Sequence, residues 1–123
     1  MAPRLVAEVY PHPAMVRLFQ LPRILEYKRK SGRSRLRSAE EFGRYQRLLA
    51  GLIAAEFSAL KLDDATRELL RAPLTKPAED RLDAFFCALI GLWHVQHSGQ
   101  RSEIVGDLAT GFILLPHDLR PSQ

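Results

Sequence analysis

Residues 84–93 form the most apolar stretch of this chain, and two aspartates stand directly before it. The segment 80–93 reads DRLDAFFCALIGLW, so ten uncharged residues follow Asp80 and Asp83. A helix that is apolar around its whole circumference must be buried on every side. Because a buried carboxylate is costly unless a positive charge compensates it, these acids either cap the helix or belong to a metal or catalytic site.

Length and cysteine content limit the class of protein. With 123 residues the chain has the size of one small domain, and we expect residues 1–123 to form a single domain. The one cysteine, Cys87, excludes an internal disulfide and favours a reducing compartment, so we predict a cytoplasmic protein. The longest uncharged apolar run is far shorter than the roughly 20 residues that span a bilayer, so we predict no membrane partner.

Positive charge is concentrated in one segment of the chain. Residues 23–47 hold nine basic and three acidic side chains, a local charge of +6, whereas the remaining residues sum to −2. Such an excess is typical of a surface that binds polyanions, and we predict nucleic acid as the partner. The alternative is a solvated loop followed by the polar face of a helix. The predicted nucleic-acid-binding residues are Lys28, Arg29, Lys30, Arg33, Arg35 and Arg37.

The sequence pattern predicts strand-like segments near both ends of the chain. Residues 5–10 form a short apolar run, which two prolines at 11 and 13 bring to an end. The second proline is suited to open a short helix over residues 14–19. Near the other end, residues 103–107 and 111–116 surround a turn, which predicts a C-terminal β-hairpin.

Three longer helices are predicted between these ends, after an exposed connection over residues 28–37. Ser38 and Glu41 have the spacing of a capping box, so we expect the first of these helices to begin at Ser38. A second helix is predicted to begin at Asp63 or Asp64, and a third covers residues 77–97. Asp80 and Asp83 are three residues apart on the third helix, and we expect them to point the same way.

Four short motifs stand in order along the chain. They are LVAEVYP at 5–11, YKRK at 27–30, DRLDA at 80–84 with Cys87 and Ala88, and GD at 106–107 leading to GFILLP at 111–116. Taken together they resemble the C-terminal half of the predicted nucleases catalogued as domain of unknown function 429, which is assigned a ribonuclease-H-like fold related to RuvC-like resolvases. The resemblance implies a partial ribonuclease-H-like α/β fold that lacks the first strands and has a central apolar helix and a C-terminal β-hairpin.

The resemblance also implies a set of carboxylates. The family's fold places an aspartate on the first strand, a glutamate on a later strand and an aspartate on the final helix. Glu8 matches the second position and Asp83 the third, with Asp80 as a helper, whereas no aspartate precedes Glu8 in this sequence. The implied catalytic residues are therefore Glu8, Asp83 and Asp80, and the implied metal ligands are Glu8 and Asp83.

Mg2+ or Mn2+ is the cofactor that such a set implies. Hard divalent ions prefer oxygen ligands, and nucleases use them to stabilise the attacking and leaving oxygens of a phosphodiester. The alternative for Glu8 is an exposed or salt-bridged glutamate at a strand end. The alternative for Asp80 and Asp83 is a pair of acids favoured by the dipole at the start of a helix.

Three interpretations of function remain open from the sequence. The first is a metal-dependent nuclease-like protein that is incomplete and weak or inactive alone. The second is a non-catalytic interaction module that pairs as a homodimer or with a separate N-terminal half, since an exposed central strand promotes association. The third is that the true start lies upstream, so that the chain is half of a normal enzyme.

Overall fold

The computed structural model describes residues 7–107, 109 and 111–117. Within them lie four helices and one two-stranded antiparallel sheet, so the chain is a mixed α/β protein and the predicted C-terminal hairpin is confirmed. No helix in this part of the chain has the length and apolar character needed to cross a membrane. The elements are α1 (Pro11–Leu18), α2 (Arg35–Glu56), α3 (Asp64–Leu69), α4 (Lys76–Gln96), β1 (Ser102–Asp107) and β2 (Gly111–Pro116).

The chain divides into two compact units. The first unit combines the residues up to Ile24 with those from Phe86 onward, and the second unit is Leu25–Phe85. Helix α4 contributes its N-terminal part to the second unit and its C-terminal part to the first. The expectation of a single domain and that of a ribonuclease-H-like relationship both remain predictions.

The first unit is built on the apolar C-terminal part of α4. Phe86, Ile90 and Trp93 have no exposed surface. The expectation that residues 84–93 are buried on every side was wrong, because Ala84, Ala88 and Leu92 are exposed and only one face of the helix is covered. The Phe86 ring stacks on Phe19 at a centroid distance of 5.6 Å. The Trp93 indole nitrogen donates to the Arg101 carbonyl oxygen at 2.9 Å, which fixes the start of the hairpin against the helix.

The predicted N-terminal strand forms only one bridge in the described residues. Glu8 pairs in parallel with Ile113 of β2, and the Leu114 amide donates to the Glu8 carbonyl oxygen at 2.8 Å. Residues 5 and 6 of the predicted strand lie outside the described residues. Helix α1 begins at Pro11 rather than after Pro13, because a proline at the first helical position loses no hydrogen bond.

In the second unit, α2 begins one turn earlier than the capping box predicts. The Ser34 hydroxyl accepts a hydrogen bond from the Arg37 amide at 3.0 Å, so Ser34 is the N-cap. The prediction that Ser38 caps this helix was wrong, since Ser38 lies inside α2 and is buried. Ser34 offers the same cap, and residues 35–37 are good helix formers, so the helix extends back to it. Arg35 and Arg37 are consequently helical rather than part of an exposed connection.

Aromatic side chains form the centre of the second unit. The Tyr27 ring lies 4.7 Å from Tyr45 and 6.2 Å from Phe42, and all three side chains are buried. Aromatic groups of this kind contribute large apolar areas to a small core.

Helix α3 begins where the sequence predicts. The Asp63 carboxylate accepts a hydrogen bond from the Thr66 amide, so Asp63 is the N-cap and the predicted start is confirmed.

Replacing Gly106 with alanine is expected to destabilise the hairpin. Gly106 has a φ of +108°, and a Cβ there would lie 2.2 Å from the Gly111 carbonyl oxygen and 2.9 Å from the Phe112 Cα. Both neighbours are backbone atoms that cannot move away cheaply, and the backbone strain alone costs about 1–3 kcal/mol. Urea denaturation measures the loss as a lower unfolding free energy.

Gly51→Ala is the matched control for this substitution. Gly51 lies inside α2, and a Cβ there would meet nothing within 4 Å. Alanine in a helix interior is expected to stabilise the protein by about 0.5–1 kcal/mol. A Gly106→Ala protein as stable as wild type would contradict the hairpin geometry.

Candidate functional site

The Asp83 carboxylate is enclosed by hydrogen-bond donors. The Tyr27 hydroxyl donates to Oδ1 at 2.7 Å, and the Tyr45 hydroxyl donates to the same oxygen at 3.0 Å. The Lys28 ammonium donates to Oδ2 at 2.8 Å. The side chain of Asp83 is only 15% exposed, so these donors supply the compensation that a carboxylate beside an apolar helix requires.

A second acid, Glu79, shares Lys28 with Asp83. Its side chain is 4% exposed, and Oε1 accepts from the Lys28 ammonium at 2.7 Å. Lys76, at the start of α4, lies 3.4 Å from the same oxygen. Lys28 therefore bridges the buried carboxylate of Glu79 and the partly buried carboxylate of Asp83, which lie one helical turn apart. We call Tyr27, Lys28, Tyr45, Glu79 and Asp83 the Lys28 cluster.

Sequence reasoning missed Glu79 and selected Asp80 as the partner of Asp83. Asp80 is 60% exposed and pairs with Lys76 at 3.0 Å. Residues four apart on a helix lie on the same face, just as residues three apart do. The spacing of Glu79 and Asp83 could therefore have indicated that their carboxylates lie side by side. It is Glu79 that shares a cation with Asp83, and a catalytic role for Asp80 remains a prediction.

Glu8 belongs to the first unit, whereas Asp83 belongs to the second. The Glu8 side chain is exposed, and its hydrogen bond with the Tyr10 hydroxyl raises the pKa of Tyr10. The backbone of Glu8 is held by β2 through its bridge to Ile113. Convergence of Glu8 and Asp83 on one metal ion therefore remains a prediction.

The divalent ion that the resemblance implies, Mg2+ or Mn2+, does not fit the Lys28 cluster while Lys28 lies between its two carboxylates. Both oxygens of Asp83 already accept hydrogen bonds, and the Lys28 ammonium lies between the two carboxylates, where a shared cation would bind. A metal ion could reach this oxygen pair only if Lys28 moved away. In neither unit do three His, Cys, Asp or Glu side chains of the described residues come together as a metal-binding group.

The Lys28 cluster raises the pKa of two of its members, Tyr27 and Lys28. Burial raises the pKa of the Tyr27 hydroxyl strongly, and the hydrogen bond to Asp83 raises it further. Partial burial alone would lower the pKa of Lys28, but its hydrogen bonds to Asp83 and Glu79 outweigh this effect and raise it. Both groups therefore keep their protons to a higher pH in the folded protein than in the unfolded chain.

The six predicted nucleic-acid-binding residues fall into two groups. Three are engaged within the second unit: Lys28 in its cluster, Arg33 with Glu26 at 3.5 Å, and Arg37 with Glu41 at 3.1 Å. Arg29, Lys30 and Arg35 are exposed and form no ion pair with any carboxylate of the described residues. The unpaired group supplies the positive charge that is available to a polyanion.

A cavity of about 620 Å³ opens beside the Lys28 cluster. The first turns of α2 and α4 line it, together with the chain segments at 28–29 and 74–75. The basic side chains in its lining outnumber the single acid. The lining residues are Lys28, Arg29, Arg35, Ser38, Ala39, Leu74, Thr75, Lys76 and Glu79.

Comparison with known families identifies the group to which this chain belongs. A family model described as a protein of unknown function (DUF429) matches residues 1–109, so the chain is a member of that family and the resemblance in the sequence is confirmed. The description of the family assigns no activity, so nuclease function remains a proposal. No match was found among curated proteins or among solved structures.

The stability of the protein is expected to fall as the pH rises above about 10, the ordinary pKa of tyrosine. Because the folded-state pKa of Tyr27 is raised, the unfolded chain releases this proton first, and this release lowers the free energy of the unfolded state relative to the folded state. Tyr27→Phe should therefore flatten the alkaline part of the stability curve. Urea denaturation between pH 8 and pH 11 measures the difference between wild type and variant.

Lys28, whose pKa is also raised, contributes to the loss of stability at high pH in both wild type and Tyr27→Phe. The difference between the stability curves of the two proteins therefore reports on Tyr27. Below the tyrosine pKa the curves should run parallel, offset by the lost hydrogen bond to Asp83. Curves that stay parallel up to pH 11 would show that Tyr27 ionises freely in the folded state.

Proposed function

We propose that this chain binds the phosphate backbone of nucleic acid through its second unit, and that it is weak or inactive as a nuclease by itself. One observation carries the proposal. Arg29, Lys30 and Arg35 are exposed and unpaired within the described residues, and two of them line a basic cavity. Unpaired cations in and beside a concave surface attract an anionic ligand.

The chemistry of these side chains suits phosphate. The guanidinium groups of Arg29 and Arg35 each present a planar fork that can donate two hydrogen bonds to one phosphate. Lys30 adds a flexible point charge. Contacts of this kind recognise the sugar-phosphate backbone rather than base edges, so the proposed binding is independent of sequence and sensitive to salt.

The proposed weakness in cleavage follows from the position of Lys28. In the metal-dependent proposal, Glu8 and Asp83 hold Mg2+ or Mn2+, with Asp80 as a helper. Asp83 is instead neutralised by Lys28, and the ammonium must leave before a metal ion can take its place. Displacing an ammonium from two largely buried carboxylates opposes loading of the metal.

The alternative proposal is an interaction module that pairs with a second copy of the chain. Strand β1 has β2 as its one neighbour in the described sheet, and its Ile104 and Val105 are 58% and 46% exposed. An apolar edge strand of this kind is a template for association. This observation concerns the first unit, whereas the backbone-binding proposal rests on the second.

Binding of a single-stranded oligonucleotide should weaken when the unpaired cations are removed. The triple variant Arg29→Ala, Lys30→Ala, Arg35→Ala is expected to lose affinity and to show a salt dependence lower by about 2 in log–log slope, at about 0.7 for each phosphate contact. Fluorescence anisotropy across a range of salt concentrations measures both quantities.

The matched control removes the same charge from elsewhere in the second unit, through Lys61→Ala, Arg71→Ala and Arg81→Ala. These side chains are exposed and lie outside residues 23–47, so the slope should stay close to that of wild type. If both triple variants lost affinity equally, the loss would reflect the net charge of the protein rather than contacts made by Arg29, Lys30 and Arg35. No binding by the wild-type chain, together with a dimer in light scattering, would favour the interaction module.

Cleavage by the wild-type chain is expected to stay at the background level. Incubation of labelled DNA and RNA with Mg2+ or Mn2+ should yield no more product than incubation with a chelator, because Lys28 opposes loading of the metal at Asp83. Denaturing gels quantify the product. Circular dichroism confirms that each variant is folded.

Glu8→Gln and Asp83→Asn test the metal-dependent proposal directly. Glu68→Gln is the control, since Glu68 is an exposed acid of α3. Metal-dependent cleavage that both site variants abolish and the control retains would overturn the proposed inactivity and assign Glu8 and Asp83 to the reaction.

A further inference from the structure

The basic cavity beside the Lys28 cluster has more basic than acidic side chains in its lining. Four basic side chains line it, namely Lys28, Arg29, Arg35 and Lys76, against the one carboxylate of Glu79. Lys28 and Lys76 both contact Glu79, which leaves Arg29 and Arg35 without an ion pair in the described residues. Lys28 also pairs with Asp83 and Lys76 with Asp80, so the unpaired positive charge of the lining is that of Arg29 and Arg35.

We propose that this cavity binds a phosphate monoester at the end of a strand, an inference that rests on the proposed binding of nucleic acid. A monoester carries a charge of about −1.5 to −2 at neutral pH, whereas a backbone diester carries a single charge. An excess of positive charge in a concave site therefore favours the terminal group. The same chemistry is offered by a 5′-phosphate and by a 3′-phosphate.

The shape of the cavity supports this choice. Its volume of about 620 Å³ falls within the range of roughly 300–1,000 Å³ that is usual for small-ligand sites. A terminal phosphate enters such a site with one covalent connection to the strand. An internal diester has a connection on both sides, so the strand would have to enter and leave through the same opening.

The remaining lining groups add donors for the phosphate oxygens. The Thr75 hydroxyl accepts a hydrogen bond from the Ala78 amide at 3.2 Å, and its own proton remains available to a ligand. The first turns of α2 and α4 both border the cavity, and the positive end of each helix dipole favours an anion there. These contributions reinforce the charge of the arginines.

The test compares three fluorescent strands of one sequence: one with a 5′-phosphate, one with a 3′-phosphate and one with neither. The full chain should bind at least one phosphorylated strand about tenfold more tightly than the unphosphorylated strand, the ratio that one added charge-assisted contact gives. Which of the two strands gains affinity identifies the end that is recognised.

The double variant Arg29→Ala, Arg35→Ala should bind all three strands alike, whereas Arg29→Lys, Arg35→Lys should keep part of the preference. Arg71→Ala, Arg81→Ala is the control of equal charge and should keep all of it. Equal affinity of the wild-type chain for the three strands would overturn the terminal-phosphate inference and leave backbone binding intact. Failure to bind any strand would overturn the proposed function itself.

Discussion

The second unit depends on one lysine between two carboxylates. Glu79 and Asp83 stand on α4 with side chains that are 4% and 15% exposed, and the Lys28 ammonium lies within 2.8 Å of both. Removing one partner from a fully buried ion pair costs about 3–5 kcal/mol. Lys28 is 40% exposed, so water screens part of this interaction and the cost is smaller. The ammonium nonetheless compensates charges that the core could not otherwise hold.

This arrangement also determines which basic side chains face outward. Tyr27 and Lys28 are consecutive, and both hydrogen bond to Asp83, so the chain is fixed to α4 at this point. Arg33 strengthens the bend that follows by donating to the Lys28 carbonyl oxygen at 2.6 Å. Arg29 lies on the wall of the cavity, which Arg35 in the first turn of α2 also lines. One segment thus stabilises the unit and supplies the charge for binding.

The sequence predicted the elements whose signals are local. The apolar run of α4, the Asp63 cap and the hairpin after residue 102 depend on neighbours along the chain, and all three are present. The start of α2 was misplaced because Ser34 offers the same cap as Ser38, and residues 35–37 are helix formers that extend the helix back to Ser34. The role of Glu79 was missed because it depends on Lys28, which is 51 residues away along the chain. The spacing of Glu79 and Asp83 indicates that they share a helix face, but it does not indicate which distant cation lies between them.

Lys28 stands where binding of a metal ion and binding of a strand would meet. A divalent ion shared by Glu79 and Asp83 would need the position that the ammonium holds, so metal and lysine compete for the same oxygens. Lys28 also lines the cavity, so its displacement would add a free cation to the surface that attracts phosphate. Loading of a metal would therefore strengthen the attraction for an anionic strand.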